Sequence, residues 1–235
     1  MDIRLHFIEQ GDGFPLILLH GNGENSGYFE HQMEPFSQRY RVIALDTRGH
    51  GQSPRGDRPF TIAQFAEDLR AFMDEQSIPR AHILGFSDGA NIALAFALKH
   101  PERVGRLVLN GGNLRPGGVK PAVQAPIVLG YGLCALIARF DKKAVPKKEL
   151  LGLMVTQPKL RPSDLAGLRM PTLVVAGTND MIRESHTREI HRAISGSRLA
   201  ILPGDHFVAH ERPERFNAAV LEFLQEEETH AKRCD

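Results

Sequence analysis

A serine with a glycine two residues to either side, Gly85-Phe86-Ser87-Asp88-Gly89, carries the strongest chemical signal in the chain. The apolar residues Ile83-Leu84 lead into it, and a stretch of small and apolar residues from Ala90 to Leu98 follows at once. Glycines at those positions permit a turn too tight for side chains, which lifts the serine hydroxyl clear of the backbone at the head of a helix. That presentation suits nucleophilic catalysis. A hydroxyl is a weak nucleophile until a base takes its proton, so a histidine must reach Ser87 and an acid must orient that histidine.

Both partners have candidates late in the chain. Thr172 to Ala176 reads as a strand running into Gly177-Thr178-Asn179-Asp180, which leaves Asp180 at a strand end. The competing reading of Asp180 is an Asn-Asp turn that caps the next helix. The other strand end able to hold an acid, after Arg106 to Leu109, carries Asn110-Gly111-Gly112-Asn113 and no carboxylate. Of eleven histidines, only His206 directly follows the last strand, in Ala200-Ile201-Leu202-Pro203-Gly204-Asp205-His206. His210 lies four residues on, the spacing of a metal-binding pair on a helix. Pro203-Gly204 argues against a helix there, and no third ligand pattern accompanies the two. Neither a metal nor a cofactor is expected. His186 and His191 fall in a polar helical pattern and read as surface residues.

Attack on a carbonyl also needs donors for the developing oxyanion. Leu18-Leu19-His20-Gly21-Asn22-Gly23 ends an early strand, and the backbone N–H of Asn22 pairs naturally with that of Asp88. The plainer reading of His20 to Gly23 is a tight loop.

The elements around these residues alternate. Leu5–Glu9 and Leu16–Leu19, joined by Gly11-Asp12-Gly13, read as strands, as do Arg41–Leu45, His82–Leu84, Arg106–Leu109, Thr172–Ala176 and Leu199–Leu202. Most are apolar throughout, the pattern of a parallel sheet covered on both faces. Thr61-Ile62-Ala63-Gln64 is a capping box, with Ile62, Phe65, Leu69 and Phe72 following at helical spacing. The last helix starts at Pro213 and presents Phe216, Val220, Phe223 and Leu224. Strand and helix in alternation imply an α/β fold with a mostly parallel, doubly wound sheet. Residues 114–160 contain no convincing strand. Two or three helices fit there, either as core helices with a solvated lysine-rich link or as a small lid at the strand carboxyl ends.

Composition sets the limits. The 235 residues suit a single domain, 1–235, and an apolar share of 42% fills a substantial core. Lys plus Arg number 29 against 28 Asp plus Glu with no basic stripe, so nucleic acid is not an expected partner. Two cysteines, Cys134 and Cys234, make no disulfide framework and point to a reducing compartment. The first residues lack the apolar core of a signal peptide, and the apolar run Ile127–Ala138 is too short to span a bilayer. A cytoplasmic protein without stable membrane insertion is expected, as a monomer or a homodimer.

These motifs together resemble the α/β-hydrolase family over nearly the whole chain. The resemblance rests on His20 to Gly23, on Asp46-Thr47-Arg48-Gly49-His50-Gly51-Gln52-Ser53, on the serine elbow, on Gly177 to Asp180, and on His206 seven residues before Pro213. It implies the chain order Ser87, Asp180, His206 for a catalytic triad. The Asp46 to Ser53 segment reads as architecture despite its His50. Related dehalogenases and epoxide hydrolases place Asp at the nucleophile position, so Ser87 argues against both. Gly-x-Ser-Asp-Gly is similar to the biphenyl-hydrolase-like group, where an acid at the Asp88 position suggests contact with a substrate ammonium. The alternative for Asp88 is capping of the helix it begins. The activity implied is serine-dependent hydrolysis of a small carboxylic ester, with lactonase, carbon–carbon bond hydrolase or cofactor-free perhydrolase as alternatives on the same residues. A ligand-binding protein with little turnover is the reading outside enzymes.

Overall fold

The computed structural model describes residues 2–231, and Cys234 lies outside them. Seven strands form one sheet: β1 (Phe7–Gln10), β2 (Phe14–Leu19), β3 (Tyr40–Leu45), β4 (Ala81–Phe86), β5 (Val104–Asn110), β6 (Thr172–Gly177) and β7 (Arg198–Leu202). Their order is β1-β3-β2-β4-β5-β6-β7. Only β1 is antiparallel, on β3; every other pairing is parallel. The turn at Gly11-Asp12-Gly13 therefore joins two strands that are not partners, because β3 lies between them.

The continuous apolar strands are covered on both faces. One layer packs α2 (Ile62–Glu75), α3 (Asp88–Lys99) and α6 (Glu184–Ala193) against residues such as Ile17, Ile43, Ile83 and Leu107. The other packs α1 (Glu30–Ser37), the short α7 (Val208–Glu211) and α8 (Pro213–Ala231) against Leu18, Val42, Leu84 and Val108. Neighbouring residues of one strand thus serve opposite cores, as the alternation of side chains across a sheet requires. Thr61 caps α2 by accepting the Gln64 N–H at 3.1 Å. Pro213 opens α8, whose Phe216, Val220, Phe223 and Leu224 are all buried.

Between β5 and β6 the chain leaves the alternation for two helices, α4 (Pro121–Ile137) and α5 (Val145–Thr156), which pack on each other. The neck of this insertion is closed by the Leu160 N–H donating to the Leu114 carbonyl at 2.8 Å. His186 braces the same neck. It is buried, accepts the Leu114 N–H at Nε2 (3.0 Å), and therefore donates from Nδ1 to Glu189 at 2.7 Å. The expectation of a surface His186 is corrected: a polar helix sequence does not reveal which of its polar residues reaches inward to satisfy a buried loop N–H.

The Asp46 to Ser53 segment is a structural knot. Asp46 accepts N–H groups from Ser26 and Gln52, and Arg48, fully buried, makes paired hydrogen bonds to Asp68 and to Asp2. His50 bonds to Thr47 and to the Arg48 carbonyl within the knot. Among the described residues, no helix is long and apolar enough to cross a membrane.

Candidate active site

Ser87 stands between β4 and α3 with φ +53° and ψ −117°, a conformation that costs an L-residue roughly 1–3 kcal/mol. Its surroundings hold it there. The Ser87 N–H donates to the Asn110 carbonyl of β5 at 2.8 Å, and its own carbonyl accepts the Ala90 N–H at 3.0 Å. The flanking glycines are required by close backbone approach. A Cβ on Gly85 would lie 2.2 Å from the Gly89 carbonyl oxygen, and one on Gly89 would lie 1.9 Å from that of Leu19. Ser87 is half-buried while its neighbours Phe86 and Asp88 are buried.

The two late loops bring base and acid to it. His206 Nε2 lies 3.0 Å from Ser87 Oγ, and Nδ1 lies 2.7 Å from Asp180 Oδ1. A carboxylate only accepts, so Nδ1 carries the ring proton and Nε2 is left free to receive the serine's. Asp180 Oδ1 also accepts the Ile182 N–H at 2.8 Å, which fixes the carboxyl plane. The loops are tied together by Thr178 N–H to the Leu202 carbonyl and Asn179 N–H to the Gly204 carbonyl, both 2.9 Å. Both Asp180 and His206 are buried. The carboxylate-free loop after β5 now has a steric reason. A Cβ on Gly111 would sit 2.7 Å from His206 Cε1, so only glycine leaves room for the imidazole. The rings of Phe86 and Phe207 pack beside His206 at centroid distances of 4.9 and 5.6 Å.

The loop after β2 is shaped by a buried histidine. His20 donates from Nδ1 to the Gly21 carbonyl (2.7 Å) and accepts the Thr47 N–H at Nε2 (3.0 Å), and burial lowers its pKa to about 4. It is a neutral bracket that curls Gly21 to Gly23 toward the elbow. Asn22 follows, and its side-chain amide donates both to Asp88 Oδ2 and to the Leu150 carbonyl of α5, each at 2.9 Å. Asp88 Oδ1 accepts from the Asn91 amide at 3.1 Å, and Asn91 in turn engages Asn113. Both oxygens of Asp88 face donors, the pattern of an ionised carboxylate, while burial pushes its pKa up. The described partners of the side chain are thus the amides of Asn22 and Asn91, and it makes no hydrogen bond to a backbone N–H of α3. The Asp88 N–H itself opens α3, where first-turn donors have no acceptor within the helix.

Glu24 was not visible as a site residue. Its carboxyl accepts the Gly21 N–H at 3.1 Å, and burial raises its pKa. The His206–His210 metal pair is not formed. Both nitrogens of His206 are engaged in the relay, and His210 turns to Glu30 at 3.3 Å, beside His31. All three of those residues are exposed, and the described hydrogen bond to these rings is the one between His210 and Glu30, within the cluster, with no outer partner described to orient either ring for a metal.

The α/β hydrolase fold profile matches residues 15–131, from β2 through the elbow into α4. A putative carbamate hydrolase RutD of Caulobacter sp. is 32% identical over 95% of this chain and 95% of its own length. The chain belongs to the α/β-hydrolase fold family. Another relative in the family, 2-hydroxy-6-oxononadienedioate/2-hydroxy-6-oxononatrienedioate hydrolase 2 of Pseudomonas putida, is 31% identical, covering 96% of this chain and 93% of that one. Among solved structures, the enol-lactonase from Burkholderia xenovorans superposes with a TM-score of 0.80 at 25% identity, over 95% and 97% of the two chains. Family and relatives make the chain a hydrolase, and they span several bond types.

Proposed function

We propose that the protein is a serine hydrolase of small carboxylic esters, lactones among them, working through an acyl-enzyme. Ser87 Oγ attacks the carbonyl carbon while His206 Nε2 takes its proton. Asp180 holds the ring and stabilises the imidazolium, and the N–H groups of Asn22 and Asp88 receive the oxyanion. Collapse breaks the bond to the alcohol oxygen, which leaves with the proton from His206. Water, deprotonated by the same nitrogen, then attacks the acyl-Ser87 carbonyl and frees the acid. No cofactor enters this scheme. The observation that carries it is the unbroken Ser87–His206–Asp180 relay, at 3.0 and 2.7 Å with the tautomer fixed.

Bond type and charge follow from the surroundings. Two acids border the oxyanion loop: Glu24 accepts the Gly21 N–H and Asp88 accepts the Asn22 amide. Acids in that position disfavour an anionic acyl group, which argues for neutral or cationic esters over a dicarboxylate such as the Pseudomonas relative's name describes. The enol-lactonase neighbour supports the lactones, whose ring opening uses the same attack. The α4–α5 insertion, residues 114–160, serves as a reduced lid within a single domain, and the near absence of cysteine suits the cytoplasm. A panel of esters and lactones, matched in size and differing in acyl charge, tests this reading. Neutral and cationic members are expected to turn over at least about tenfold faster than anionic ones, a bias of about 1.4 kcal/mol in the transition state. Faster cleavage of a carbon–carbon bond in a vinylogous ketone than of any ester would overturn it.

A further inference from the structure

The outer face of α4 is apolar, and none of the described residues covers it. Residues 121–137 include no charged side chain, and none of them is buried. Leu129, Leu133, Leu136 and Phe140 lie at 4-3-4 spacing, one stripe along the helix and its C-terminal turn, and are 75, 59, 55 and 87% exposed. With Val128 and Ile137 they account for six of the nine large hydrophobics exposed among the described residues. The inner side of α4 is spoken for: Gln124 donates to the Met154 carbonyl of α5 at 3.1 Å, and Tyr131 packs over Gly152. At the C-terminal end of the stripe come Arg139, Lys142, Lys143, Lys147 and Lys148, five cations in ten residues. Asp141 is the one acid among them and accepts the Lys143 backbone N–H, and Glu149, next in the chain, is taken by Arg55.

We infer that this face rests on an anionic phospholipid surface, with the stripe in the headgroup–acyl boundary and the cations among the phosphates. An apolar face joined to a cationic flank supplies the two weak signals that together give reversible attachment, and the helix is too short to do more than lie on the surface. The cationic flank calls for an anionic surface, which makes a lipid face rather than a second copy of this chain the occupant. The consequence for the site is direct. The Leu150 carbonyl of α5, the helix packed on α4, is held by Asn22 beside Ser87, so the attached insertion borders the elbow. An apolar ester would then arrive from the lipid side. The attachment does not depend on the proposed reaction and can be tested apart from it.

The full chain is floated with vesicles of phosphatidylcholine alone and of phosphatidylcholine with one third phosphatidylglycerol, at about 0.1 M and about 0.5 M salt. Binding is expected only to the phosphatidylglycerol vesicles and mainly at the lower salt. Lys142→Gln, Lys143→Gln and Lys147→Gln together are expected to weaken partitioning roughly a hundredfold, and Leu129→Glu with Leu133→Glu to abolish it. An unchanged melting temperature for these surface variants shows that they are folded. The inference is overturned if the wild type ignores anionic vesicles, or if it binds neutral ones equally well. It is also overturned if the wild type sediments as a dimer that Leu129→Glu dissociates, which would give the face to a second copy.

Discussion

Replacing Asp88 by Asn separates a carboxylate that recognises substrate from one that holds the oxyanion loop. In the structure Asp88 accepts from the Asn22 and Asn91 amides at 2.9 and 3.1 Å. Asparagine offers one oxygen and one amide, so one of these contacts must become donor against donor. The loss is one hydrogen bond to a charged group, about 1.5–3 kcal/mol, plus buried donors without acceptors at about 1–3 kcal/mol more. Keeping the bond to Asn91, which is anchored in α3 and to Asn113, is the less disruptive choice, so Asn22 is the partner released. Its backbone N–H then loses its fixed aim. Removing an oxyanion donor outright costs about 100- to 1000-fold in kcat, and loosening one should cost about 10- to 100-fold. The assay is kcat and KM on two esters of equal size, one neutral and one bearing an ammonium group on the acyl side. The expected result is the same fall in kcat for both, with KM little changed. A loss confined to the ammonium ester would refute the positioning role and restore recognition. No loss on either ester, in a protein of unchanged stability, would show that the Asn22 amide does not need this anchor. Asn22→Ala removes the amide without reversing a donor, so its effect should be smaller and non-additive with Asp88→Asn.

Gly111→Ala places a methyl where His206 Cε1 now lies, so kcat is expected to fall at least about 100-fold, while steady-state unfolding shifts by only about 1–2 kcal/mol for the positive φ. Asp180→Asn keeps the shape but inverts the tautomer preference of His206; kcat should drop about 10,000-fold with folding retained, checked by circular dichroism. Arg48→Ala leaves Asp68 buried without its partner and should cost about 3–5 kcal/mol in urea unfolding, yet kcat of the folded fraction should be unchanged, because the Asp46 to Ser53 knot is architecture. Burial holds His20 and His82 at about 4 in the fold, below the unfolded value of 6.5. The unfolded chain therefore binds more protons between those values, and these two residues lower stability as pH falls from about 6.5 to 4. His82→Gln should flatten the measured slope by up to about 1.4 kcal/mol per pH unit in that window.

The elements that create the site were legible because each has a local cause. Glycines at 85 and 89 announce a backbone crossing, apolar runs announce buried strands, and strand ends at Asp180 and His206 announce where loops can converge. What was hidden depends on contacts between distant positions. Asn22 and Asp88 are 66 residues apart, and no local pattern says that an amide will meet that carboxylate. The setting of Asp88 was hidden for this reason: the sequence shows that an acid follows the nucleophile, but not that amides of Asn22 and Asn91 donate to its two oxygens. Glu24 looks like any loop acid until the Gly21 N–H is seen to need an acceptor. His186 was misplaced because helical polarity does not distinguish a solvated imidazole from one that turns inward to Leu114. Gly111 was read only as a missing acid, whereas its lack of a side chain is what admits His206.

The central claim is that Ser87 becomes acylated, and the most direct test is the mass of the protein itself. After rapid mixing with an activated ester and acid quenching, the intact chain should gain the acyl mass, and digestion should place it on the peptide containing Ser87. The Ser87→Ala variant should neither gain the mass nor hydrolyse the ester above background. Ester hydrolysis retained by Ser87→Ala, or an acyl group found on a different residue of the active wild type, would contradict the account.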